Sequence, residues 1–306
     1  MKPQMSVQPV FPASQPLREI VKSYTEGSMY GDADLGALFF SMNPSPLPSY
    51  TPGLLESIRQ AADDARTLIN DDIARDGYSL WKYIVVTSAY SKIFSLGGDL
   101  GLFIDLIRKR DREGLFEYGK SCVDLTYHWS RSLDLPITGI SLIEGTAQGG
   151  GLEMALASNL IVAERGATMG FPEVSFGLFA GMGAMHFMSQ RITPGEAQQI
   201  FLSGKVYSAE EFHERGLIDV LVETGEGQQA VLDIIRDTDR RRHAREAIRR
   251  IRTQQTPVVY EHLIDTVSYW ADAALTLSER ELSLMERIVK TQRRKLANRV
   301  PAAADA

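Results

Sequence analysis

The 306-residue chain has a single cysteine, Cys122, which excludes an intramolecular disulfide framework and a cysteine-rich zinc site and fits a reducing, cytoplasmic setting. Its five histidines, His128, His186, His213, His243 and His262, show no ligand spacing with acids or with the cysteine, so no metal is assigned. No apolar run is long enough for a membrane span or has the form of a signal peptide, so membrane insertion is not expected. Positive charge is not in excess either. The formal net charge is -6 and the pI is near 5.5, which disfavours nucleic acid as the principal partner. No internal repeat is present. What remains is an ordinary globular composition, 44% hydrophobic and 24% charged, in a chain long enough to bury a sizeable core.

Prolines at positions 3, 9, 12 and 16 mark MKPQMSVQPVFPASQP as a mobile tail, and residues 1–25 are assigned to it. ALFFSMN (37–43) reads as a buried strand broken by the prolines of PSPLPSYTP. Thr51 then N-caps a helix with Pro52 at its first position and an apolar face of Leu55, Ile58, Ala62, Ala65 and Ile69. KYIVVTSA (82–89) and PITGISLIEG (136–145) are β-branched, apolar runs of the kind buried on both faces. A loop holding Phe94 to Leu100 and a helix over about 114–132 lie between them. The glycines from Gly149 open a short helix, NLIVAER is a strand, and ATMGFPE is extended. Pro194 starts one helix, Ser208 caps another with Glu211 three residues on, and LIDVLVE is a last strand. This alternation predicts an α/β core over 26–225, a helical C-terminal region over 226–300 and a second tail over 301–306.

The chemistry concentrates in two glycine-rich places. Glycines opening a helix at Gly149 let a ligand approach the backbone and leave unpaired N–H groups at the positive end of the helix dipole. Leu96-Gly97-Gly98-Asp99 supplies a further free N–H from another loop, and two convergent N–H groups suit charge developing on a thioester oxygen. Glu153 and Glu173 stand among residues suited to burial, where an isolated carboxylate is expensive. Beside such a hole they form an acid/base pair for moving a proton next to the carbonyl. Singly, each feature has a plainer explanation in packing, a turn or a first-turn acid. Asp99 is read as structural, ordering its own loop.

FSLGGDL, EGTAQGGGLEMAL and MGFPEVSFGLFAGMGA resemble the crotonase, or enoyl-CoA hydratase/isomerase, superfamily from about Asp34 to Val222. The resemblance implies a ββα spiral core, oxyanion N–H groups at Gly98 and Gly150, and catalytic acids at Glu153 and Glu173. Retention of both acids points to addition or elimination of water. LGGDLGLFIDLIRKRDR, MGFPEVSFGLFAGMGAMHFMSQRI, LSGKVYSAEE and YWADAALTLSE are more similar to the diffusible signal factor synthase branch. That likeness implies quorum-sensing signal synthesis. The enzyme would dehydrate a 3-hydroxyacyl chain on acyl carrier protein to a cis-2-enoyl chain and then hydrolyse the thioester. A coenzyme A-linked hydratase of fatty acid β-oxidation and a non-catalytic crotonase shell are the alternatives. No cofactor is implied beyond the phosphopantetheine or coenzyme A carrying the substrate.

Leu96, Gly149, Phe171, Leu178, Met182 and Trp270 are assigned to the substrate pocket, with Trp270 as a wall for the acyl chain. Two basic runs, DTDRRRHAREAIRRIR (237–252) and VKTQRRKLANR (289–299), are solvated helix faces, or one of them docks acidic acyl carrier protein. The crotonase resemblance implies homo-oligomers, trimers or dimers of trimers, and the signal-synthase likeness implies a sensor kinase receiver region as a regulatory partner.

Overall fold

The structure, a computed structural model, describes residues 20–90, 92–238, 244, 247, 248, 251 and 254–297. A seven-stranded sheet forms the centre, in the order β1-β2-β3-β4-β6-β8-β11. Its members are β1 (Ile20–Tyr24), β2 (Gly27–Asp32), β3 (Ala37–Met42), β4 (Tyr83–Ser88), β6 (Thr138–Ile143), β8 (Leu160–Glu164) and β11 (Val220–Val222). From β3 onward the neighbours are parallel. A second sheet has the order β10-β9-β7-β5, from β5 (Ile93–Ser95), β7 (Thr146–Gln148), β9 (Thr168–Gly170) and β10 (Val206–Ser208).

The chain repeats one move. A strand of the large sheet is followed by a short strand of the small sheet and then by a helix. β4 and β5 lead into α2 (Leu100–Arg108) and α3 (Arg112–Ser130); β6 and β7 lead into α4 (Gly150–Leu156); β8 and β9 lead through a 3-10 turn (Pro172–Phe176) into α5 (Ala184–Ser189). This is the expected α/β ββα spiral. α6 (Pro194–Ser203), α7 (Ala209–Glu214), α8 (Gly227–Thr238), α9 (Tyr260–Ala274) and α10 (Glu279–Ala297) complete it, and no strand occurs after β11 among the described residues. No described helix is long and apolar enough to cross a membrane.

Strand side chains alternate between two apolar layers. Met29, Leu38, Phe40, Ile84 and Val86 face α1 (Pro52–Asp76), while Phe39, Val85, Ile140, Leu142 and Val162 face Val231 and Ile235 of α8. The Thr51 side chain accepts the Leu54 N–H, and its hydroxyl donates to Glu26, so the cap of α1 is tied to the β1–β2 turn. Ser208 and Glu211 form the reciprocal capping box at α7.

Three expectations are corrected. Residues 20–24, assigned to the N-terminal tail, form edge strand β1: they pair with β2 through a two-residue turn, and Lys22 and Tyr24 both reach Asp64 on α1. Phe94 and Ser95, placed in a loop, belong to β5, and Leu100 opens α2, which the sequence reading left out. The rest of the N-terminal tail, residues 1–19, lies outside the described residues, as do 298–306 and most of the first basic run; the second runs through the last turns of α10.

Leu142 is fully buried and lies against α8, where its Cδ1 would be 2.8 Å from a Cβ at Gly227. Leu142→Ala is expected to destabilise the fold by about 2–5 kcal/mol, read as a lowered urea midpoint at unchanged m-value.

Candidate active site

Three successive turns of the spiral deliver their connections to one place. The loop after β5 brings Gly97 and Gly98, the link from β7 to α4 brings Gly149 and Gly150, and the turn after β9 brings Glu173. Their packing is backbone against backbone. A Cβ at Gly97 (φ +94°) would stand 3.1 Å from the Gln148 carbonyl oxygen, and one at Gly150 would stand 3.8 Å from the Gly98 nitrogen. Gly149 has φ +48° and ψ -127°, a conformation side-chain-bearing residues rarely adopt, and a Cβ there would be 2.1 Å from Glu173 Oε1. The carboxyl of Glu173 therefore rests on the Cα of Gly149. No side chain caps α4, and no acceptor among the described residues takes the N–H of Gly98 or Gly150.

α4 is buried along its whole length, which puts Glu153 at 1% exposure. Its Oε1 accepts the N–H of Met182 at 2.7 Å and of Ala184 at 2.9 Å. Gly183 between them takes φ +110°, which turns two nearby amides toward one oxygen. Glu173 is half-buried as a residue, but its Oε2 is buried and has no hydrogen-bond partner among the described residues. Burial pushes Glu173 up to about 7. Burial and then the charge of Glu173 push Glu153 up to about 8, against the opposing pull of its two amide donors. Such a pair titrates as a unit, one proton being retained near neutral pH.

Burial alone does not mark these two acids. Glu164, which the sequence reading passed over, is 4% exposed at the end of β8 and accepts the Gly227 N–H at 3.0 Å. It is a satisfied acid at the start of a helix, remote in role from the oxygen of Glu173 that has no partner.

The structure thus brings together Glu153, Glu173, Gly98, Gly149 and Gly150, with Met182 added to them. The Met182 sulfur would be 2.9 Å from a Cβ at Gly150. Asp99 caps α2 by accepting the Leu102 N–H. Leu96 donates its N–H to Pro48. Phe171 is buried beside Phe201, and Leu178 is buried just beyond the 3-10 turn. Trp270 stands edge-on to Phe103 at 5.0 Å, and a Cβ at Gly181 would meet its ring at 2.7 Å. A cavity of about 1050 Å³ lies between α1, α3 and the large sheet and adjoins the site through Tyr118 and Met154, which line it with Trp129; neither Glu153 nor Glu173 nor any residue assigned to the substrate pocket lines it. The amides of Met182 and Ala184 escaped the sequence reading because backbone donors carry no residue signature. Gly181 and Gly183 were the available sign of a turn there.

The profile of the enoyl-CoA hydratase/isomerase family matches residues 76–259, more than half of the chain. The chain belongs to that family. It is similar to the fatty acid oxidation complex subunit alpha of Pseudomonas syringae pv. tomato, 30% identical over 201 residues, 65% of this chain and 25% of that protein. It is also 30% identical over 194 residues to the glyoxysomal fatty acid beta-oxidation multifunctional protein MFP-a of Brassica napus, 63% of this chain and 25% of that one. The chain thus spans about a quarter of the length of these curated relatives. Among solved structures it is similar to human mitochondrial delta3-delta2-enoyl-CoA isomerase, with TM-score 0.70, 18% identity and coverage of 91% and 99% of the two chains. It is similar as well to Pseudomonas aeruginosa DspI, with TM-score 0.56, 22% identity and coverage of 92% and 98%. The fold is that of the family, with helices at its C-terminal end.

Two outcomes test this family member's site. Gly149→Ala forces both the backbone and Glu173 to move, and the fold is expected to lose on the order of 1–3 kcal/mol, read as a lowered urea midpoint. The second outcome concerns pH. Both acids titrate higher in the folded chain than in the unfolded one, so the native state holds extra protons and stability falls as pH rises from about 4.5 to 8, by at most about 1.4 kcal/mol per unit per group. A Glu153→Gln, Glu173→Gln protein should gain stability relative to the wild type toward pH 8, the gap closing near pH 4.5. Parallel curves of urea midpoint against pH would refute this.

Proposed function

We propose that this protein is a synthase of a cis-2-unsaturated fatty acid signal, acting on a 3-hydroxyacyl chain carried by acyl carrier protein. The observation that carries the reading is the buried pair, Glu153 and Glu173, beside two glycine N–H groups with no acceptor among the described residues. Elimination of water needs one carboxylate and one carboxylic acid at once, and a coupled pair sharing a proton offers both. One acid removes the proton from Cα while the other protonates the hydroxyl on Cβ. The C–H and C–O bonds break, the double bond forms and water leaves. The Gly98 and Gly150 N–H groups hold the thioester oxygen as negative charge builds on it. For release, the same carboxylate pair activates a water that attacks the carbonyl carbon; the C–S bond breaks, giving the free acid and the carrier thiol.

The signal-synthase reading is supported by the phrases quoted above. A second reading, a coenzyme A-linked hydratase of β-oxidation, is favoured by the 30% identity to proteins named for fatty acid oxidation. Homo-oligomerisation is common to both readings, and a receiver-region partner belongs to the first.

The experiment that separates them supplies 3-hydroxydodecanoyl chains on acyl carrier protein and on coenzyme A, with product analysis by mass spectrometry. Free 2-dodecenoic acid from the carrier protein substrate, reduced at least about 1000-fold in the Glu153→Gln, Glu173→Gln protein, is the expected outcome. Hydration or dehydration with coenzyme A alone and no acid release would establish the second reading, and no turnover of either would leave the non-catalytic shell.

A further inference from the structure

An N–H serves an oxyanion well only when its direction is set before the substrate arrives. Gly98 has no side chain with which to set it, and Gly97 before it occupies the left-handed region, so the restraint must come from elsewhere. On the upstream side the Gly97 N–H donates to Ser95 Oγ at 3.1 Å, and the Gly97 carbonyl accepts the Tyr50 N–H at 2.8 Å. In a trans peptide the C=O and N–H point in opposite directions, so this second bond aims the Gly98 N–H away from Tyr50; the Gly98 nitrogen would be 3.8 Å from a Cβ at Gly150.

On the downstream side the restraint is a side chain from α3. The Asp99 N–H donates to the hydroxyl oxygen of Tyr118 at 3.4 Å, and the same hydroxyl donates to the Tyr50 carbonyl at 2.6 Å. Tyr50 and Gly98 face each other as an isolated parallel bridge, and the phenol oxygen is bonded to both of its strands. Tyr118 is 6% exposed and stands edge-on to Phe103 at 5.0 Å; the end of the Phe103 ring would be 2.6 Å from a Cβ at Gly98, and the phenol oxygen 3.4 Å from it. Both peptide groups flanking the Gly98 Cα are therefore pinned, one by Tyr50 and one by Tyr118.

We propose that Tyr118 is a positioning residue for the oxyanion donor at Gly98: its hydroxyl, bridging the Asp99 N–H and the Tyr50 carbonyl, fixes the direction of the Gly98 N–H. The proposal rests on the reading of Gly98 as that donor. Tyr118 itself touches no reacting atom.

The test is Tyr118→Phe, which keeps the ring and removes both hydrogen bonds. With a 2-enoyl thioester, kcat is expected to fall about 10–100-fold with KM within about twofold, because the lost alignment acts on the transition state. Isotope-edited infrared spectra of the bound thioester read the same effect directly. The carbonyl band, displaced to lower frequency in the wild-type complex, should move back toward its position in water in the variant, with the pH profile of turnover unchanged. A wild-type kcat and band position in Tyr118→Phe would overturn the proposal. So would a loss of activity with the band unmoved, since that is the mark of a purely structural role. An undisplaced band in the wild-type complex would instead overturn the assignment of Gly98 and Gly150, and the proposal with it. Should the variant not fold, 3-fluorotyrosine at position 118 alters the hydroxyl without removing it; a displaced band then supports the proposal and an unmoved band overturns it.

Discussion

Two carboxyl groups buried side by side cannot both be charged at modest cost, and the rest of the site is arranged around that constraint. Glu153 is held by two backbone amides at one oxygen, while an oxygen of Glu173 has no hydrogen-bond partner among the described residues. The asymmetry leaves a proton to be placed on either acid. It also sets the fold against the site, because protonation that the folded chain favours is progressively withdrawn as the pH rises. A protein keeps such a pair only if the surrounding structure contributes enough elsewhere, which here means two apolar layers on opposite faces of a seven-stranded sheet.

The spiral explains how residues distant in sequence meet. Each turn adds one strand to each sheet and therefore one connection to the same edge, so Gly98, Gly150 and Glu173 come from three consecutive turns. Glu153 differs in kind, since it sits on a seven-residue helix whose complete burial forces its side chain toward the amides of the next connection.

How much of this was legible in the residues follows from where the information lies. The long β-branched runs and the caps at Thr51 and Ser208 announce themselves because local chemistry and tertiary role agree there. Edge strand β1 does not, because its stability comes from pairing with β2 and from Asp64 rather than from its own short, mixed segment. The two glutamates were visible as acids among residues suited to burial, yet the same stretch holds Glu164, a buried acid with an ordinary partner. Sequence separates the three only through family resemblance. The physical distinction, a donor for Glu164 and none for Glu173 Oε2, exists only after folding.

The glycines carry a second tension. Backbone-to-backbone approach at Gly97, Gly98, Gly149 and Gly150 exposes the N–H groups, and leaving out side chains also leaves out the contacts that would hold those groups still. The lost rigidity has to be restored from outside the loops, by bulky neighbours that occupy the omitted volume and by polar ones that catch the adjoining peptides. Phe103 and Met182 do the first at Gly98 and Gly150, and Ser95 and Tyr50 do the second at Gly97. Since the neighbours come from different helices and strands, alignment of the donors is a property of the assembled core. Changes that loosen packing around α2 and α3 therefore reach the direction of these N–H groups without touching the loops that carry them.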